Sequence, residues 1–188
     1  MARDYEMIRY IRNQMKGFDD RFINAVVKLF GRMVDVREPN GCLSNSAMLL
    51  ACAKYCGYDA KLCYGLCNTG KYEIYHAWLE IDDSIFDIGI YGNSHFSPLY
   101  LDEPIDKPVI NVKYEDALLN YGRFVFDEDW QEADIRGVEH LSLEKYFDNS
   151  ERHILWQFVC TLLDLRPTRE NGDEIRKAIE GIVIGPDC

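Results

Sequence analysis

The chain has 188 residues, 47% hydrophobic and 28% charged, which suits one globular unit with enough apolar surface for a real core. Its formal net charge of −11 repels nucleic acid and anionic membrane, and its basic residues are scattered rather than clustered, so neither is expected as a partner. The opening MARDYEMIRYIRNQMKGFDD interrupts its apolar positions with charges and reads as neither a signal peptide nor a membrane span, so a soluble, cytoplasmic protein is expected.

In chain order, residues 3–33 carry apolar positions at helical spacing: Ile8, Ile11 and Met15, then Phe22, Ile23, Val26, Val27 and Phe30. A break near Gly17, with Asp19 or Asp20 as a cap, predicts a helix pair. After the loop 35-DVREPNG-41, a third helix is predicted over 43–56, with Gly57 as its stop. Three strand-like runs follow, 59-DAKLCYGLC-67, 72-YEIYHAWLEI-81 and 84-SIFDIGI-90, which predict an antiparallel meander. Residues 93–112 read as a proline-containing loop. Helical patterns are then expected around 113–121, 142–148, 150–164 and 173–182. The fold class is α+β, with a helix packed on an antiparallel sheet and helices at both ends. Residues 1–112 are expected to form the core with its N-terminal helices, and 113–188 a helical extension packed on the same domain.

Seven cysteines, an odd number in a chain expected in a reducing compartment, argue against a disulfide framework. The pairs Cys52/Cys56 and Cys63/Cys67 imitate a set of zinc ligands. Structural zinc sites usually draw their pairs from tight knuckles, whereas the first pair here lies on a helix and the second on an extended strand that holds its thiols too far apart. They are expected to be small buried thiols, with no metal and no cofactor.

Cys42 is different, because it falls at a helix N-terminus. There the helix dipole and unpaired backbone N–H groups stabilise a thiolate, and a neighbouring imidazolium stabilises it further. Of His76, His95, His140 and His153, only His76 lies within an apolar strand just downstream. If Asp82 and Asp83 form a two-residue turn, Leu79 faces Phe86, Ala77 faces Ile88 and Trp78 faces Asp87. His76, Trp78 and Asp87 then share one face, and Ala77, Leu79, Ile81, Phe86 and Ile88 the other. A one-residue slip would put Asp87 among the apolar set. Cys42 as nucleophile, His76 as acid and base, and Asp87 as the group that orients the imidazole form one consistent arrangement. Each residue alone also has a structural reading: a helix-start thiol, a core histidine, a capping aspartate. Tyr75 and Trp78 are candidates either to line a cleft or to serve as core. Asn40, with Gly41, shapes the turn that presents the thiol and is a candidate substrate contact.

The order Cys, His-Ala-Trp-hydrophobic-Glu-hydrophobic, then Asp resembles the transglutaminase-like superfamily of papain-type thiol enzymes. In particular, 42-CLSNSAMLLACAKYCGYDAKLCYGL-66 with 76-HAWLEI-81 is similar to bacterial transglutaminase-like proteins and to leader peptidases of lasso-peptide biosynthesis. The resemblance covers about residues 35–92. It departs from the usual Asp-Pro context of the acid, since here the sequence is Phe86-Asp87-Ile88-Gly89. It implies a Cys42, His76 and Asp87 triad that forms a thioester on a peptide or protein substrate, with hydrolysis or transfer to follow and protease or amidase activity ahead of cross-linking. Two other readings stay open. One is a non-catalytic module of the same fold that presents 121-YGRFVFDEDW-130 to a partner. The other is a thioester-dependent N-acyltransferase, whose family normally adds a β-barrel region.

Overall fold

In the computed structural model, residues 2–37, 39, 41–68, 73–97, 104–123, 142–149 and 154–184 are described. The first two helices are α1, Ala2–Gln14, and α2, Asp20–Val36. Asp19 caps α2 by accepting from the Arg21 N–H at 2.8 Å. The third helix, α3, runs from Cys42 to Tyr55, and Gly57 follows it in the left-handed region that glycine tolerates (φ 86°). Then come β1 (Ala60–Asn68), β2 (Glu73–Ile81), β3 (Ser84–Asp87), α4 (Gly89–Phe96), β4 (Val109–Lys113) and β5 (Asn120–Arg123). Three helices close the described chain: α5 (Leu143–Asp148), α6 (Ile154–Leu162) and α7 (Arg169–Ala178).

The strands form one antiparallel sheet in the order β4-β3-β2-β1-β5. The β2–β3 turn is the two-residue Asp82-Asp83, both at positive φ as such a tight hairpin requires. Leu79 pairs with Phe86 as the alternation predicts. The pairing stops there, so the expected continuation through Trp78–Asp87 and Ala77–Ile88 is not part of the ladder.

Side-chain alternation gives the sheet two buried faces. Leu62, Leu79, Ile81, Phe86 and Ile110 join the larger core, built from α1, α2, α3 and the C-terminal helices. Cys63, Cys67, Ile74, Trp78, Ile85, Val109 and Tyr121 form a second, smaller core on the opposite face. Because α3 is enclosed by neighbours, it is apolar nearly all round, and Asn45 through Ala53 are all buried. Phe18, Phe22, Tyr58 and Phe86 form an aromatic cluster with ring centroids 5.2–6.2 Å apart, which fastens the α2 entry to the sheet. On the C-terminal helices, Arg176 bonds Asp148 and stacks 4.1 Å over Trp156, whose indole N–H also donates to Asp148.

Several expectations are corrected. The run 84–90 is a strand only to Asp87, because the chain turns at Ile88 into α4. The loop expected over 93–112 contains the end of α4 and, after Pro104 and Pro108, the strand β4. Its β-branched Val109, Ile110 and Val112 pair with β3 despite the flanking prolines. The helix expected around 113–121 is a single 3-10 turn, Tyr114–Asp116, followed by β5; pairing with β1 overrides the helical propensity of Glu-Asp-Ala-Leu-Leu. The last helix begins at Arg169, four residues before the expected start, because Thr168 caps it by accepting from the Asn171 N–H. Residues 150–153 of the expected helix 150–164 lie outside the described residues.

Phe86 is fully buried between sheet and helices, whereas Leu118 is 95% exposed. Phe86→Ala is expected to lower unfolding free energy by about 3–5 kcal/mol, and Leu118→Ala to leave it within about 0.5 kcal/mol, both read from urea denaturation.

Candidate active site

The site grows from a mismatch in strand length. β2 has nine residues and β3 four, and β3 pairs only with Leu79 to Ile81. In an antiparallel ladder a residue directs its N–H and C=O to the same side, so Ala77, two residues before Leu79, offers both groups to the edge that β3 has left. Helix α3 fills that place. The Ser46 hydroxyl donates to the Ala77 carbonyl at 3.1 Å, and the Ala77 backbone N–H favours the thiolate form of Cys42. The first turn of α3 is thereby docked beside His76.

His76 and Asp87 are both wholly buried, and His76 Nε2 lies 2.7 Å from Asp87 Oδ2. The carboxylate is held from two further directions. Oδ1 accepts the Ile90 N–H at 3.0 Å, and Oδ2 accepts the Tyr121 hydroxyl at 2.8 Å. With Nε2 committed to Asp87, Nδ1 is the nitrogen left for the thiol; it makes no regular hydrogen bond among the described residues.

Burial pushes the Cys42 thiol up, but the neighbouring His76 charge and the Ala77 N–H outweigh this and leave it below the ordinary thiol value. Burial opposes the His76 imidazolium, and the carboxylate of Asp87 together with the Cys42 thiolate outweighs that, raising it to about 10. Cys52, Cys56 and Cys67 behave oppositely. Burial first, with nearby negative groups such as Asp19 at Cys56 and Asp87 at Cys67 adding to it, moves Cys52 and Cys67 far up and carries Cys56 to about 11. Gly41 contributes no side-chain cap and the first turn of α3 holds no acidic residue, so the positive helix end meets no competing negative charge from its own turn.

The structure therefore brings Cys42, His76 and Asp87 together. Trp78 is at 0% exposure and donates its indole N–H to Tyr114 at 2.8 Å, so it is core and not a cleft wall. Tyr75, by contrast, is 44% exposed. Asn40 lies outside the described residues, as do His140 and His153. His95, expected in a loop, sits in α4 with Nε2 2.9 Å from the Ile105 carbonyl. Of the partner-presenting segment expected over 121–130, residues from 124 on also lie outside the described residues, and its first residue, Tyr121, is buried on Asp87. Among the described residues no group of three or more His, Cys, Asp and Glu could hold a metal ion, and none of Cys52, Cys56, Cys63 and Cys67 is in a disulfide.

Three residues escaped the sequence reading. Tyr121 could be recognised only with β5 in place. Gly89 packs so closely that an added Cβ would stand 3.0 Å from Cys42 Cα and 3.4 Å from Asp87 Oδ1; its only signal was its position two residues after the acid. Asn45, one turn into α3, is buried with neither carboxamide atom hydrogen-bonded among the described residues.

The family model described as the transglutaminase-like superfamily matches residues 9–101, and that match supports the superfamily for this region. That superfamily consists generally of cysteine-dependent enzymes. No curated protein and no solved structure matches the chain. Among the described residues no helix is long and apolar enough to cross a membrane.

Two outcomes are expected. Gly89→Ala should displace Cys42 and cost about 1–3 kcal/mol, the range for overpacking a tight site, as read by chemical denaturation. The second concerns pH. The stabilisation carried by His76, whose folded value is raised from 6.5 to about 10, is complete below 6.5 and lost as pH rises through about 10. That carried by Cys42, lowered from 9.0, is complete above 9.0 and lost as pH falls through its folded value. Between the folded value of Cys42 and 9.0 the two slopes oppose each other. The excess stability of wild type over His76→Ala should thus vary least just below 9.0 and shrink as pH rises from there through about 10, measured by urea denaturation at a series of pH values.

Proposed function

We propose that the protein is a cysteine-dependent amide or peptide hydrolase, or acyl transferase, that works through a thioester on Cys42. The observation that carries this reading is the buried 2.7 Å His76–Asp87 contact beside a thiol whose acidity is raised at a helix start. The superfamily match and the free thiols throughout the described chain support it.

In this mechanism the Cys42 thiolate attacks the carbonyl carbon of a carboxamide or peptide bond, forming the C–S bond while the carbonyl electron pair moves onto oxygen. The Cys42 backbone N–H at the open end of α3 is placed to donate to that oxyanion. The His76 imidazolium gives its proton to the leaving nitrogen, the C–N bond breaks, and a thioester and a free amine result. His76, now neutral, accepts a proton from water or from an acceptor amine as that group attacks the thioester carbonyl; the C–S bond then breaks, releasing the acid or the new amide and restoring the thiolate–imidazolium pair. Asp87 keeps the imidazole oriented and stabilises its charge, and stays ionised itself. Hydrolysis of a peptide or protein substrate is favoured over cross-linking, and exposed Tyr75, next to His76 in the chain, is the aromatic candidate for contacting it. A reducing, cytoplasmic setting suits free thiols. Neither nucleic acid nor membrane is a partner in this reading, as the net charge of −11 implies.

The test is alkylation by iodoacetamide as a function of pH, with the modified site read by peptide mass spectrometry. At pH 6 wild-type Cys42 should react at least about tenfold faster than a free thiol such as glutathione, whose thiolate is then scarce, and His76→Ala should remove that advantage. If Cys42 reacts no faster than glutathione, the catalytic reading fails and the non-catalytic module replaces it.

A further inference from the structure

We propose that Tyr121 is a positioning residue of this site, holding Asp87 against His76, so that the site is complete only when β5 is paired onto β1. The inference rests on the thiol-enzyme reading above and adds a member from outside residues 9–101, the region matched to the superfamily. Three observations carry it. First, the Tyr121 hydroxyl donates at 2.8 Å to Asp87 Oδ2, the same oxygen that meets His76 Nε2 at 2.7 Å. With Oδ1 fixed by the Ile90 N–H, this contact gives the carboxylate its third donor, and the imidazole has one orientation to follow.

Second, the ring is a fitted wall. It packs edge-on against Trp78 at 5.1 Å and lies 6.5 Å from the His76 ring, and Tyr121 itself is buried. Burial and the Asp87 charge push its hydroxyl well above the ordinary tyrosine value, so it keeps its proton and acts only as a donor toward the carboxylate. Third, the ring is delivered by pairing. Tyr121 lies opposite Cys67 in a ladder of four residue pairs, Gly65 to Asn68 of β1 with Arg123 to Asn120 of β5. Gly65 is also the β1 partner of His76. The short ladder thus ends on the residue that backs the imidazole.

The experiment is a double-mutant cycle on Cys42 alkylation at pH 6.5, with Tyr121→Phe, Asp87→Asn and the combination, alongside His76→Ala. Phenylalanine keeps the ring that packs on Trp78 and removes only the donor. Buried Cys52, which reacts on opening, reports in the same samples whether each variant is folded. Tyr121→Phe is expected to slow Cys42 alkylation about tenfold or more, the weight of one hydrogen bond to a charged group, in the wild-type background. It should slow it less than about twofold once Asp87 is Asn, because a residue acting through Asp87 has then nothing to act on. If His76→Ala and Asp87→Asn slow Cys42 while Tyr121→Phe does not, or if Tyr121→Phe slows it equally in both backgrounds, the positioning role is overturned and the thiolate reading stands. If His76→Ala leaves Cys42 unchanged, the thiolate reading falls and this inference with it.

Discussion

The contact between His76 Nε2 and Asp87 Oδ2, at 2.7 Å and without solvent, sets the terms for everything around it. Taking a carboxylate out of water costs several kcal/mol unless its lone pairs are filled. The chain fills them from three separate elements: β2 supplies His76, the first turn of α4 supplies the Ile90 N–H, and β5 supplies Tyr121. The same requirement explains why β3 stops at Asp87 and turns at once into a helix. A strand continuing in register would have left one carboxylate oxygen without the Ile90 donor, and Gly89 permits the turn to press against Cys42.

The arrangement of α3 follows from the strand that is missing beside Ala77. An exposed N–H and C=O in the middle of a buried sheet would carry the usual penalty for unpaired backbone. The Ser46 hydroxyl satisfies the carbonyl, and the N–H favours the Cys42 thiolate, so a helix end is brought to the imidazole without any loop being asked to hold it. Asn45 is the unsettled member of this turn. Its buried carboxamide, without a hydrogen bond among the described residues, runs against the rule that interior polar groups are paired, and a penalty of about 1–3 kcal/mol is expected for such a group. Sites that trade stability for chemistry are where such exceptions gather.

The two faces of the sheet divide the labour. The larger core takes the helices at both ends of the chain and supplies most of the apolar burial. The smaller one is mixed, and its polar groups are linked: the Trp78 indole donates to Tyr114, and the Tyr114 hydroxyl donates to buried Glu80 at 2.7 Å. Networks of this kind hold side chains in single orientations, which suits the face on which His76, Asp87 and Tyr121 meet.

Residues close in the chain and governed by a regular period were legible from the sequence. The helix pair, the helix beginning at Cys42, the Asp82-Asp83 turn, and the shared face of His76 and Asp87 all follow from alternation, capping and turn chemistry. The superfamily motif lies within the same stretch. Less was legible wherever a long-range partner decides the outcome. Val109–Lys113 and Asn120–Arg123 are short, flanked by proline or by helix-favouring residues, and become strands only because β3 and β1 offer them unpaired edges. Trp78 and Tyr75 are three residues apart in the chain, and only the packing shows that the first is core and the second exposed. The sequence by itself determined which residues could do the chemistry, because side-chain type and local spacing are properties of the chain. The tertiary structure alone decided that Tyr121 and Gly89 join them, because burial and hydrogen bonding across 34 residues are properties of the packed whole.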